Sequence, residues 1–146
     1  MNLFKSHGFL LNRLAHIGSN QLEKELLHRF DITLSQWAVL SIVWEEEGIA
    51  LSRIQELLDV KVSTASGVIK RMEKKGLLVR GQNKNDKREI QLFLTDKSKK
   101  LETDVIQTVK DFNNRLLADF TQEEKALFTS FIRRGFDNLK KKEAEE

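Results

Sequence analysis

The chain has 146 residues, one domain's length, and can bury about two-thirds of its unfolded surface without a disulfide or metal staple. It has no cysteine, which excludes a disulfide framework, thiolate metal sites, a cysteine nucleophile and thiol redox sensing, and no proline, so no helix loses an amide to one. With 40% hydrophobic and 32% charged residues it reads as globular rather than disordered, and no apolar run has the length of a signal-peptide core or a membrane span, so a cytoplasmic location and no membrane partner are expected.

The first helix is predicted over about 3–29, with Leu3, Leu10, Leu14 and Ile17 on a packing seam and Leu11, Leu22 and Leu26 widening it. The second has a clear start. Thr33 and Gln36 form a capping box, and Ile32 with Trp37 makes a hydrophobic staple. Trp37, Leu40 and Trp44 are expected to face inward, and Gly48 to end the helix. A short helix follows over about 51–58, with Ile54, Leu57 and Leu58 apolar.

The helix over about 61–75 is amphipathic in an unusual way. Val62, Ala65, Ile69 and Met72 share one side. Opposite lie Ser63, Gly67, Lys70 and Lys74, flanked by Thr64 and Arg71 on one edge and Ser66 on the other. The leading outer face is small and hydroxylated, the trailing one cationic. Gly76 is the expected C-terminal cap.

From there the period changes from helical to alternating. Leu77 to Arg80 reads as one strand and Arg88 to Leu94 as the other, with Ile90, Leu92 and Leu94 alternating with Glu89, Gln91 and Phe93. Between them Gly81 to Lys87 is turn chemistry plus charge, giving a β-hairpin with a basic tip. Thr95 caps a helix expected over about 96–119, striped by Leu101, Val105, Val109, Phe112, Leu116 and Phe120. Thr121 and Glu124 form a second capping box before a last helix bearing Leu127, Phe128, Phe131, Ile132, Phe136 and Leu139. The tail KKKEAEE has no apolar residue larger than alanine and is expected to fray.

Charge follows this organisation. Residues 61–88 carry nine basic side chains against Glu73 and Asp86, a net of +7, while the remainder of the +3 chain sums to −4. A basic segment on an acidic body is the footprint of a nucleic-acid reader, and equally of a solvated basic surface. Short helices, a basic-faced helix and a basic hairpin together make a winged helix-turn-helix, mainly α within an α+β fold. In such a fold Ser63, Thr64 and Ser66 suit base edges or phosphates, and Lys70, Arg71 and Lys74 suit the phosphate backbone. The hairpin residues Lys84, Asp86, Lys87 and Arg88 form the wing, whose cations suit a neighbouring minor groove.

Several segments carry a family resemblance: Ile54; Ser63-Thr64-x-Ser66; the run Arg71-Met72-Glu73-Lys74-Lys75-Gly76-Leu77-Leu78-Val79-Arg80; and Asp86-Lys87-Arg88 leading to Leu92-Phe93-Leu94-Thr95. With these the chain resembles, over essentially its full length, the MarR family of bacterial transcriptional regulators. The resemblance implies a single MarR-type domain over 1–146. Within it, 33–95 would be the double-stranded-DNA-binding lobe, and 1–30 with 96–146 would be helices that form a homodimer. It further implies a regulator, a repressor by expectation, on a pseudo-palindromic operator, released by a small apolar or phenolic effector. Trp37 and Trp44 are candidates for that effector's pocket, although aromatics at helical spacing serve a core equally well. Two positions depart from the family pattern: Gly67 replaces a frequent basic residue, and Ala50 a frequent capping hydroxyl.

Other chemistries find little support. The chain has no Gly-x-Ser-x-Gly elbow, no His-Glu-x-x-His helix and no phosphate-cradling loop, so no enzyme activity and no cofactor are expected. His7, His16 and His28 do not gather on one helix face, so no metal is expected. The competing reading from another class is a winged helix used for protein–protein contact, its basic face meeting an acidic partner.

Overall fold

The computed structural model describes residues 2–146. Asn2 caps a single 3-10 turn, Leu3–Lys5. Ser6 then starts α1, His7–Phe30, its Oγ accepting from the Phe9 amide at 3.4 Å. The expected first helix is thus cut at Ser6, because a serine competes for local amides and favours a cap over a helix interior. Asp31 closes α1 in the left-handed region at φ 55°.

α2 (Leu34–Glu45) carries the expected capping box of Thr33 and Gln36. Its buried side is Gln36, Val39, Leu40 and Val43, while Trp37 and Trp44 are half-buried at the flanks rather than fully inward. The helix ends at Glu45, before Gly48. Gly48 instead makes a turn at φ +89°, from which its amide donates to Leu92 O at 2.8 Å. α3 (Leu51–Leu58) buries Leu51 and Ile54 and exposes Leu57. Its N-cap Ala50 supplies no side-chain bond.

α4 (Val62–Lys74) buries Ala65, Val68, Ile69 and Met72. Val62, assigned to the inner side by spacing, is 66% exposed. It is the first residue of the helix, where the side chain leans past the helix end and away from the core. The C-terminus closes as a Schellman motif, with Gly76 at φ +71° and bonds from Gly76 N to Glu73 O and from Leu77 N to Met72 O.

The wing strands are β1, Leu78–Gln82, and β2, Ile90–Leu94, antiparallel with Leu78 opposite Leu94 and Arg80 opposite Leu92. β1 therefore takes in Gly81 and Gln82, which the turn-rich sequence assigned to the loop. Ile49 and Ala50 pair with the other edge of β2 through Leu92 N to Ile49 O and an Ala50–Gln91 bridge. Phe93 lies against two glycines. A Cβ at Gly81 would stand 2.6 Å from Phe93 Cε2, and one at Gly48 3.3 Å from Cε1.

Thr95 caps α5, Asp96–Leu116, with its Oγ1 accepting from the Ser98 amide at 3.2 Å. The helix stops short of the expected 119 because the chain turns through a left-handed Asp119, φ 68°, into extended Thr121.

The chain forms two compact units, one ending at Lys110 and one over Asp111–Glu146. The core of the first gathers Leu26 of α1, Leu40 of α2, Ile54 of α3, Ile69 and Met72 of α4, Leu92 of β2 and Val105 of α5, all fully buried. Only the C-terminal part of α1 contributes to it, through Leu22 and Leu26; Leu10, Leu11, Leu14 and Ile17 stay exposed. The second unit holds α6, Gln122–Glu145, opened by the Thr121–Glu124 capping box and by an edge-on contact of Phe120 with Phe128. The tail expected to fray is helical to Glu145, supported by a Lys140–Glu143 pair at i, i+3.

Gly81→Ala forces the Phe93 ring aside and should cost about 1–3 kcal/mol, read as a lower urea midpoint at unchanged slope. Phe93→Leu in the same chain should reduce that loss. The bonds that Glu124 accepts from Thr121, main chain first and side chain second, hold its carboxyl below the usual range. The stabilisation is therefore complete above the ordinary carboxylate pKa and lost as pH falls through the lowered value. Acidification should release the first turn of α6, seen as faster exchange of the Thr121 and Glu124 amides, whereas Glu124→Gln should make that turn insensitive to acid.

Candidate nucleic-acid interface

The outward side of α4 is polar. Ser63, Thr64, Lys70, Arg71 and Lys74 are exposed, and Ser66 and Gly67 half-buried. Thr64 stands at the edge of this face and lines, with Ser35, Val39, Ile54 and Val68, an apolar cleft of about 160 Å³ between α2, α3 and α4. The residue missing from position 67 is partly replaced. A Cβ there would lie 3.6 Å from Arg71 Nη1 and 3.7 Å from Nη2. Helical side chains lean towards the N-terminus, so the Arg71 guanidinium covers the turn ahead of it.

The two ends of α4 differ. Its start, after N-cap Lys61, has no side-chain cap, which leaves amide donors of the first turn pointing outward. Its end is fixed. Thr95 Oγ1 donates to Gly76 O at 2.6 Å, Lys97 Nζ to Lys75 O at 2.8 Å, and Arg80 Nε to Glu73 Oε1 at 2.6 Å.

The wing loop is ordered by its own side chains. Asn83 Oδ1 accepts from the Asn85 amide, Asn83 Nδ2 donates to Glu89 Oε2 at 2.6 Å, and the Glu89 amide donates to Asp86 O. Asp86 Oδ1 accepts from the Arg88 amide at 3.0 Å and from Arg88 Nε at 3.3 Å. Alternation along a strand would also set residues 86 and 88 on one side. Here, however, the segment precedes β2 and the pairing arises from an Asx turn, in which a short carboxylate bonds the main chain two residues on. The guanidinium is otherwise bare, its side chain 93% exposed. Lys84 and Lys87 are exposed on the same loop.

Trp44 is committed to packing: its Nε1 donates to Ser98 O at 3.1 Å and ties α2 to α5. Trp37 is half-buried one turn after the Thr33 cap. The histidines are scattered along α1, with His16 Nε2 3.3 Å from the Asn20 amide nitrogen. Sequence reasoning had no sign of the bonds by which the half-buried Lys75 joins α4 to α1 and α2, nor of the third segment pairing with β2. Neither contact repeats at a fixed spacing.

Residues 32–90 match the family model described as MarR family. Among relatives, the HTH-type transcriptional regulator YwoH of Bacillus subtilis (strain 168) is 33% identical over 109 residues, 75% of this chain and 79% of its own length. Among solved structures, the PcaV transcriptional regulator from Streptomyces coelicolor, in complex with its natural ligand, superposes with a TM-score of 0.83 at 27% identity. The superposition covers 94% of this chain and 96% of that one. A mutant MarR from E. coli complexed with operator DNA gives a TM-score of 0.79 at 25% identity, over 87% and 91%.

Proposed function

The chain belongs to the MarR family of DNA-binding transcriptional regulators, and on that premise we propose that it works in the cytoplasm as a homodimeric repressor on a pseudo-palindromic operator, with α4 in the major groove and the wing on the adjacent minor groove. One observation carries the reading. The bare side of α4 and the bare tip of the wing both belong to the +7 segment, and both expose cations: Lys70, Arg71 and Lys74 on the helix, Lys84, Lys87 and Arg88 on the wing. In this reading Ser63, Thr64 and Ser66 read base edges, Lys70 and Lys74 hold phosphates, and Arg71, lying against Gly67, serves either. Asp86 pre-orients Arg88, so less side-chain entropy is lost when it enters a narrow groove.

The dimer rests on unpartnered apolar surface. α1 leaves Leu10, Leu11, Leu14 and Ile17 exposed, and α6 leaves Leu127, Phe131, Ile132, Phe136 and Leu139 exposed. Rows of exposed apolar side chains of this kind favour burial against a partner, and a two-fold copy of the same faces would cover them. The regions 1–30 and 96–146 then serve as the dimerisation helices and 33–95 as the DNA-binding lobe. Likeness to PcaV, which binds a natural ligand, supports release by a small apolar or phenolic effector, with Trp37 the aromatic better placed to touch it because Trp44 is held by Ser98.

A gel shift against the promoter region of the chain's own gene, at two salt concentrations, tests the reading. A retarded complex that survives excess unrelated duplex is expected. Sedimentation should show a dimer at micromolar concentration, and removal of residues 121–146 should abolish both dimer and complex. Within the complex, Lys70→Ala or Lys74→Ala should lower the salt slope by about one unit per lost phosphate contact, with all sequences weakened alike. Ser63 or Ser66 replacements should change the preferred bases. Arg88→Ala should cost about 1–3 kcal/mol per half-site. Asp86→Ala should also weaken binding, although it removes a negative charge next to DNA. Tighter binding by Asp86→Ala at every salt concentration would refute its positioning role.

A further inference from the structure

Not every cation of the basic segment faces outward. Lys75, the C-cap of α4, directs its ammonium to the junction where α1 turns into α2. There Nζ donates to Asp31 O at 2.6 Å and to Gln36 Oε1 at 3.1 Å, with the Asp31 carboxylate at 3.7 Å. Each acceptor is available for a reason. Asp31 is in the left-handed region that closes α1, so its carbonyl has left the helical ladder. Gln36 is 2% exposed, and its Oε1 accepts the Thr33 amide at 3.0 Å in the α2 capping box. A carbonyl oxygen has a second lone pair, which the ammonium takes. The charge also sits at the negative end of α1, where a cation is favoured. At the same residue, the main-chain carbonyl receives Lys97 from the start of α5. One side chain and its own carbonyl thus join the end of α4 to α1, α2 and α5.

We propose that Lys75 is a positioning residue that sets the angle at which α4 presents its outer face, and that it makes no phosphate contact of its own. The proposal rests on the reading of α4 as the groove-entering helix. The lever arm is long. Thirteen residues of α4 span about 20 Å, so a 10° tilt about the Lys75 end displaces the Ser63 end by roughly 3 Å, more than a hydrogen bond to a base edge tolerates. Lys70 and Lys74 are exposed on the same helix and supply the contrast between a clamp on DNA and a clamp on the protein.

The test uses the full chain, a duplex from the promoter segment that the native protein protects in footprinting, and an unrelated duplex of equal length, each titrated over a salt series. Native discrimination between the two duplexes is the control. Its absence overturns the reading of α4 itself; where it is present, the variants decide the role of Lys75. Lys75→Met should weaken operator binding about tenfold, as a mismatched base pair does, while the unrelated duplex changes by less than about twofold and the salt slope by less than half a unit. Lys74→Ala should instead lower the slope by about 0.9 on both duplexes. Lys75→Arg, which keeps a charged donor, should recover most of the discrimination. A slope lowered by about one in Lys75→Met, equal weakening on both duplexes, or full native discrimination would each overturn the proposal. If circular dichroism shows Lys75→Met unfolded, Lys75→Gln, a neutral donor of shorter reach, is judged by the same three criteria.

Discussion

A helix whose outer side must stay bare can be held only from behind and at its ends, and α4 is built under that constraint. Behind it lie Ala65, Val68, Ile69 and Met72, the buried strip by which the helix packs on its neighbours. That single strip of contact resists sliding poorly. Most of the directional restraint comes from the C-terminal end, where Gly76 turns the chain and Thr95, Lys97, Lys75 and Arg80 each make a bond. The N-terminal end has no comparable anchor. Its unfilled amides and small hydroxyls are what a binding surface requires, so rigidity and availability are divided between the two ends of one helix.

The hairpin obeys the same division. Its base is packed, with Leu78 and Leu92 buried and Phe93 pressed against Gly48 and Gly81. Its tip is ordered by short-range bonds of Asn83 and Asp86 to nearby groups, without any core beneath it. Order without burial leaves the cations in water and still restricts where they point.

How far the sequence disclosed this depended on the range of each interaction. Devices complete within four residues were legible: the capping boxes at Thr33 and Thr121, the Thr95 cap, and the glycine turn at Gly76. The amphipathic pattern of α4 located its inner strip but misjudged Val62, because a wheel diagram treats every position as mid-helix and this one is the first. The break at Ser6 went unseen because the apolar spacing runs through it. Helical order to Glu145 did likewise, since charged side chains at i, i+3 can support a segment with no apolar face. Lys75 was hidden for a different reason: its acceptors lie more than thirty residues away, and one is a main-chain carbonyl that no residue type reveals. The exposure of Ser63, Thr64, Lys70, Arg71 and Lys74 was legible because a polar side opposite an apolar strip is itself periodic.

The gap at Gly67 has a consequence for how relatives of this chain diverge. The Arg71 guanidinium lies against position 67, at distances that an alanine methyl would meet in ordinary van der Waals contact. The two positions therefore behave as one. A residue larger than alanine at 67 adds its own chemistry beside the guanidinium and so changes the surroundings of both positions. A lineage drifting to new target sites can alter the surroundings of two positions with a single codon at 67, whereas a change at 71 alone alters one exposed side chain. Under the proposed reading, position 67 is where diversification of target preference should concentrate.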